Sequence, residues 1–449
     1  MFRKIEVWIL YLTILFGLLF AVVFGILVRQ ELVGSTKFGV VSKTALFLTE
    51  IPVNIKKIYQ ENGLKVKDRF VSLTGFNGKE NTEVAYLLLS RRLDDESIVE
   101  LIDLKNFQVL HTWNPDIDKM NSKIPQVENM AKLDRDGNNK RATLLHPQLT
   151  SDGGLLFLDM ALRKIDKCSN LLYQNFDQIY HHSIELDLQG NIWVPIHRYP
   201  SSLPAKKVGS NTKEDNGFLD DTIVKISPNG DIMYQKSVPE IFIENNLEYL
   251  LFSIGKQTFN RDPIHLNDIQ TVNFDGPFWK KGDLFLSFRA QSMVILYRPE
   301  INKIIWKGTG PFFHQHDVDI LNDHQIAIFN NNSKDFFNGE LVDGNNEIVI
   351  YNFSNNKFST YLSDSLIDQE VRTITQGRSE ILPNGNLFVE ESNYGRILYF
   401  NTDGTLRWTY VNRTKTGKVR ALGWSRILHS SLDISLVKKF LKERTNCEN

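Results

Sequence analysis

From about residue 82 onward the chain repeats one unit: an apolar strand, a polar or Gly/Asn turn, and a second strand ending near an aromatic residue. Six segments fit it: ESIVELIDLKNFQVLHTW (96–113), LLFLDMALRKIDKCSNLLYQ (155–174), DTIVKISPNGDIMYQ (221–235), MVILYRPEINKIIWKG (293–308), EIVIYNFSNNKFSTYL (347–362) and GRILYFNTDGTLRWTY (395–410). Asn229-Gly230, Asn355-Asn356 and Asp403-Gly404 mark the hairpin turns, because those residues accept the backbone angles that a tight turn demands. The 29 Phe and 14 Tyr, with Ile and Val, favour strands. Neighbouring units lie roughly 50 to 70 residues apart, room for a four-stranded blade and its loops. Six such hairpins predict an all-β, six-bladed β-propeller over residues 81–428. A large β-sandwich, or two of them, is the alternative.

A second element recurs upstream of several hairpins, a polar residue leading into a strand and a tight turn. Copies begin at His182, at Asn267 and at His316; a fourth puts Gly377 or Arg378 in the same place. In a propeller an equal register in different blades means an equal radial depth, so these residues are expected to converge on the central channel. The stretch Gly308–Asn332 also sets His314 and His316 two apart. Period-2 alternation would point both the same way, with Gln315 opposite. His265 and Asn267 form a similar H-x-N pair. Arg289 ends an apolar strand, where a guanidinium needs an anion or a carboxylate such as Glu380. The candidate set is therefore His182, His265, Asn267, Arg289 and His316. It has donors for an oxyanion and few carboxylates for a hard metal, so no metal is assigned; imidazoles alone would suit zinc or another transition ion.

The ends differ from the repeats. Val7–Val28 is 22 residues without a charge, against the roughly 20 that span a bilayer. Arg3 and Lys4 precede it and Arg29 follows, which favours a cytoplasmic N-terminal tip and a retained signal anchor over 1–28. A cleaved signal peptide is the alternative, although the run is long and lacks a small-x-small site. A connecting region over 29–80 holds helix-compatible pieces at Thr44–Leu48 and Val53–Leu64. Residues 114–141 and 206–220 read as surface loops. A tail over 429–449 is expected to dock a short helix through Leu436, Val437, Phe440 and Leu441. Cys168 and Cys447 leave pairing open and exclude a Cys-rich zinc site. With a net charge of −1 there is no electrostatic case for nucleic acid.

The motifs DPIHLNDIQ, LSFRAQSMVILY and QHDVDIL, with GRSEILPNGNLFVEESNYGRILYFNTDGTLRWTYVN, resemble the bacterial arylsulfate sulfotransferase family over about residues 145–425. The resemblance implies an exported six-bladed propeller that moves a sulfuryl group from an aryl sulfate to a phenol without a nucleotide cofactor. It implies that His316 is the catalytic, transiently sulfated histidine. By the same matching, His265 and Asn267 are the family's H-x-N pair, Arg289 its sulfate-binding arginine and His182, with His181 adjacent, its early-blade histidine. Together with the anchor it implies a single-pass protein of the cell inner membrane with its main domain in the periplasm. The partners would be an aryl sulfate and a phenol, the bilayer, and in one arrangement a second copy in a homodimer. Arg378-Ser379-Glu380 departs from the small residues that the family carries there. The competing readings are a non-catalytic propeller that binds a ligand or envelope protein, and a metal-dependent hydrolase or lyase in the same channel.

Overall fold

The hairpins read from the sequence fold as antiparallel pairs, and they form the outer strands of larger sheets. In the computed structural model Ser97–Asp103 pairs Gln108–Trp113, Met293–Arg298 pairs Lys303–Thr309, Glu347–Asn352 pairs Lys357–Thr360, and Arg396–Phe400 pairs Leu406–Val411. The structure describes residues 6–32, 38–61, 68–70, 72–94, 96–125, 130, 133, 137–208, 218–253, 260–336, 339–443 and 447. Two compact units divide the chain, Met1–Asp68 and Arg69–Asn449.

In the first unit Val7–Leu32 is one apolar helix, long enough to cross a bilayer, with its side chains largely exposed. Arg3 and Lys4 lie outside the described residues. A second helix covers Gly39–Glu61, and the Ser42 hydroxyl donates to the Glu31 carboxylate at 2.7 Å. The two short helical pieces expected around Pro52 are thus one helix, with Pro52 inside it. Residues 62–64 of the expected second piece lie outside the described residues.

The second unit is mostly β and propeller-like. Among the described residues three sheets have four strands each, and a fourth has five because Gly75–Gly78 adds to its outer edge against Leu406–Val411. A further sheet of eight strands runs over residues 145–237, where Leu171–Tyr180 and Ile192–Arg198 pair through Ile196↔Tyr180 and His197↔Ile179. The segment 155–174 therefore holds more than one hairpin: Leu155–Leu158, Met160–Ile165 and the start of Leu171–Tyr180. Middle strands such as Leu284–Phe288 are buried along their whole length, whereas the outer strand Lys303–Thr309 is largely exposed. Both faces of a middle strand meet neighbouring sheets. Leu286 and Ile295 pack with Trp193 and Ile223 on one side, and Phe285 and Val294 pack with Ile326 and Val349 on the other. The last strand, Arg426–Leu428, pairs Tyr86–Arg92, so the C-terminal end of the unit completes the sheet begun at its N-terminal end.

The described parts of 114–141 and 206–220 carry only short helices, at Ile117–Asn121 and Ala205–Val208. The tail forms the expected helix, Ser431–Lys442, started by a reciprocal Ser430–Asp433 capping box. Val437 and Phe440 are buried, with the Phe440 ring 5.3 Å from Trp113. Leu441 is 38% exposed, so the docking seam steps from 437 to 440 and leaves that residue out. Lys167 Nζ donates to the Phe440 and Glu443 carbonyls at 2.7 and 2.6 Å, and Cys168 is disulfide-bonded to Cys447. The link closes a sequence separation of 279 residues. Replacing both cysteines by serine is expected to cost about 2–5 kcal/mol of stability and to expose the Ser431–Lys442 helix to protease. Denaturant unfolding and limited proteolysis of the double variant check this; unchanged midpoint and cleavage would refute it.

Candidate active site

Backbone N–H groups at the inner edges of successive sheets are held by side chains of the sheet before. Ile269 N–H donates to Ser183 Oγ at 3.1 Å, Val318 N–H to Asp268 Oδ2 at 3.0 Å and Ser379 N–H to Asp317 Oδ2 at 3.0 Å. Each acceptor follows one of His182, Asn267 and His316, and each donor lies two residues beyond Asn267, His316 or Gly377. The register read from the turns is thus the register of the hydrogen bonds, and Gly377 takes the fourth place. Gly377 has φ +88°, and a Cβ there would lie 2.6 Å from Thr373 Cγ2 and 2.7 Å from the Phe329 ring. Only glycine fits.

Three imidazoles gather at this depth. The His182 ring centroid is 5.2 Å from that of His265 and 6.3 Å from that of His316, and His316 is 6.0 Å from Trp424. His316 is 1% exposed. Its Nδ1 lies 2.7 Å from Asn331 Oδ1 and 3.1 Å from the His314 carbonyl, while its Nε2 accepts the Gln376 N–H at 2.9 Å. Asn331 Nδ2 donates to the Thr373 and Gln376 carbonyls, which fixes its oxygen towards the ring. Two acceptors at Nδ1 and a donor at Nε2 admit one tautomer, with the proton on Nδ1 and a lone pair on Nε2. Burial, with the Arg289 guanidinium and His265 adding to it, pushes the His316 pKa down to about 3. Burial also lowers His182 well below the ordinary histidine value, and His181 and His265 act in the same direction.

The strand rule does not hold where it was applied to His314 and His265. Both have positive φ, +49° and +54°, and the strands start after them, at Val318 and Leu266. The alternation therefore does not carry from His314 to His316; the His314 Nδ1 lies 2.7 Å from Glu340 Oε1. His265 Nδ1 bonds Asp262, whereas Asn267 is fully buried and donates from Nδ2 to the Gln315 carbonyl at 2.8 Å. Among the described residues the Asn267 Oδ1 has no hydrogen-bond partner. Arg289 follows the strand Leu284–Phe288 and its Nη2 is paired with Glu340 rather than Glu380. Glu380 is engaged by His429 at 2.7 Å and by Arg378 at 3.6 Å. The Nε of Arg289 is buried and makes no hydrogen bond among the described residues, and its guanidinium charge acts on His316.

Sequence reasoning passed over Asn331, Glu340 and the Gln376 amide. Asn330-Asn331-Asn332 directly after an apolar strand was a usable sign, since a polar run leaving a buried strand has to find partners. Glu340 sits beyond a separate hairpin, Ser333–Phe336 with Gly339–Val342, and nothing local points to it. Near the inner strands Asp317 is pushed up to about 6 by burial, while Arg378 opposes the shift. Asp268 and Asp319 are raised well above the carboxylate range, also by burial first.

A family profile described as arylsulfotransferase (ASST) matches residues 155–413. Among solved structures, a protein of unknown function from Bacteroides caccae is similar at TM-score 0.47 and 10% identity, covering 78% of this chain and 100% of that chain. A streptogramin B lyase follows at TM-score 0.38 and 11% identity, covering 78% and 96%. Virginiamycin B lyase from Staphylococcus aureus matches at TM-score 0.34 and 12% identity, covering 74% and 86%. No curated protein matches the chain. The profile spans more than half of the residues, and it includes every residue of the imidazole group, Arg289 and Asn331: the chain belongs to the arylsulfotransferase (ASST) family.

Proposed function

We propose that the protein is a sulfotransferase that moves a sulfuryl group from an aryl sulfate to a phenol, without a nucleotide cofactor, through a sulfohistidine on His316. The observation that carries the reading is the single tautomer of His316. A neutral imidazole with its lone pair on Nε2 is a nucleophile at ordinary pH. In the first step Nε2 bonds to sulfur, the sulfur–aryl oxygen bond breaks and the electron pair leaves with the phenolate. Nε2 has to give up the Gln376 N–H to do so, and that amide is then free to donate to a sulfuryl oxygen. Nδ1 keeps its proton, because Asn331 and the His314 carbonyl accept a hydrogen bond without being bases. The sulfated ring is thus cationic and leaves readily in the second step, when the acceptor phenolate oxygen attacks sulfur and the N–S bond breaks. Arg289 Nε, His182 and His265 would hold the sulfuryl oxygens as charge develops. Asn267 would set the edge on which they stand, by fixing the Gln315 carbonyl.

We read the eight-stranded sheet as two blades, 145–180 and 185–237, which with the other four makes six. The helix Val7–Leu32 would anchor the protein in the inner membrane, with the propeller on the periplasmic side.

Full-length protein in detergent, incubated with a chromogenic aryl sulfate, is expected to gain one sulfuryl group in intact mass and to discharge it when a phenol is added. His316→Ala should abolish both. An adduct that survives this substitution, or a folded wild type that neither reacts nor is labelled, would overturn the assignment in favour of a binding propeller.

The buried ring also couples to acid stability. The His316 pKa of about 3 lies below the ordinary value near 6.5. As pH falls through that window the unfolded chain takes up the proton first. The stabilisation is whole above about pH 6.5 and is lost as pH drops towards the folded value, with a slope of up to ~1.4 kcal/mol per pH unit for one proton. His316→Gln should therefore flatten the loss of unfolding free energy between pH 6.5 and 4, and the wild-type ring nitrogen signals should not titrate above pH 4. A His316 titration midpoint near 6.5 would refute the burial argument.

A further inference from the structure

His182 touches a second polar cluster through its neighbour. Its Nδ1 lies 2.6 Å from Nδ1 of His181, one hydrogen bond that leaves the other nitrogen of His181 free to point elsewhere. That nitrogen, Nε2, is 3.3 Å from Asp221 Oδ1, and His197 Nε2 is 3.4 Å from the same oxygen. All three donor atoms lie within 4.8 Å of one another, and the two rings are 4.0 Å apart. The fold presets the cluster. His197 and Asp221 are opposite partners in the pairing of Ile192–Arg198 with Asp220–Ile226, and His181 N–H donates to the Pro195 carbonyl in the same sheet.

Two features separate this cluster from an ordinary buried ion pair. Asp221 is fully buried, and its Oδ2 accepts the Leu266 N–H at 3.1 Å, yet among the described residues Oδ1 has only the two imidazole contacts, which lack hydrogen-bond geometry. His181 Nε2, 3.3 Å away, makes no hydrogen bond among them either. A buried carboxylate oxygen and a buried imidazole nitrogen that face each other at 3.3 Å without hydrogen-bond geometry are poorly satisfied, and native proteins seldom leave such groups so. Their spacing also fits a metal. Ligand atoms bonded at 2.0–2.1 Å in a tetrahedron stand about 3.3 Å apart, which is the separation of Asp221 Oδ1 from both imidazole nitrogens.

We propose that His181 Nε2, His197 Nε2 and Asp221 Oδ1 bind a divalent transition ion of the Zn2+ class, with water in the remaining position. Two imidazoles and a carboxylate suit that class and do not suit a hard ion such as Mg2+. The ion would also dictate a proton position, and this consequence rests on the sulfuryl-transfer reading above. A metal on His181 Nε2 puts the ring proton on Nδ1, which donates to His182 Nδ1. The His182 proton then sits on Nε2, so His182 is a donor to a sulfuryl oxygen rather than an acceptor. With a proton on His181 Nε2 instead, the chain of bonds runs the other way. His181 and His197 would be positioning residues for His182.

Chelator-treated full-length protein, titrated with Zn2+ by calorimetry and then with Co2+ for its visible spectrum, tests the site without any sulfated substrate. One tight equivalent per chain is expected. His197→Gln and Asp221→Asn should each weaken it by more than the roughly 10–100-fold that outer-shell losses cost. His316→Ala should leave it unchanged. Asp221→Asn retains an acceptor for Leu266 N–H, so its folding is checked by thermal unfolding, and His197→Gln serves if it does not fold. Absence of binding by folded wild type, or binding that survives both substitutions and disappears in His182→Ala or His265→Ala, would overturn the proposal. Loss of sulfuryl transfer with Zn2+ binding intact would instead count against the reading of the site.

Discussion

Side-chain acceptors for backbone N–H groups at the inner edges of the sheets hold the rest together. Such an edge offers donors with no further strand to pair, and inside a protein each needs a partner. Ser183, Asp268 and Asp317 supply partners from one sheet to the next, and Asp221 does so for Leu266. Glu390 performs the same service at the last strand, accepting from the Trp424 and Ser425 N–H groups at 2.8 and 2.7 Å. These bonds set the relative height of the sheets, and the height decides which imidazoles meet. Burying the carboxylates raises the pKa of Asp268, Asp317 and Glu390. Charge on these three carboxylates is thus costly there, and Arg378, 3.9 Å from Asp317, offsets part of that cost.

The residues that lead into the inner-edge strands share a backbone feature. His146, His182, His265, His314, Gln376 and Trp424 all have positive φ, and each stands at the start of an inner-edge strand or just before it. None is glycine, and such residues carry strain that surrounding structure has to maintain. His316 is not among them. Its backbone N–H and the Asp317 carbonyl both pair with Phe329, as in a strand. The proposed nucleophile stands on relaxed backbone while its neighbours are aimed by strained turns. That arrangement suits a ring that has to keep one nitrogen in place through two bond exchanges.

What the sequence revealed follows from locality. The outer hairpins were legible because Asn-Gly and Asp-Gly turns and apolar alternation are written within about fifteen residues. The shared register of His182, Asn267 and His316 was legible for the same reason, since each is counted from its own turn. The inner strands are shorter, three residues at Val318–Ile320 and two at Glu185–Leu186, so alternation had too little length to act on. The left-handed residues ahead of them broke the count, so period-2 alternation does not run from His314 to His316. Partners such as Asn331, Glu340 and Asp221 come from other strands, and only the pairing of sheets brings them in. Pro52 inside a helix and the Cys168–Cys447 link are likewise outcomes of the fold that spacing did not decide.

The closure of the second unit has a consequence for its biogenesis. The strand Arg426–Leu428 supplies the inner edge of the sheet that starts at Tyr86, and Trp424 beside it faces His316. Until residues 424–428 have left the ribosome, that sheet lacks its inner edge strand and His316 lacks its Trp424 neighbour. Cys447 comes later still, and it reaches Cys168 once the Ser431–Lys442 helix has docked beside it through Phe440. The bond ties the end of the chain to the sheet over residues 145–237. A chain that stopped two dozen residues early would lack both the closing strand Arg426–Leu428 and the partner of Cys168.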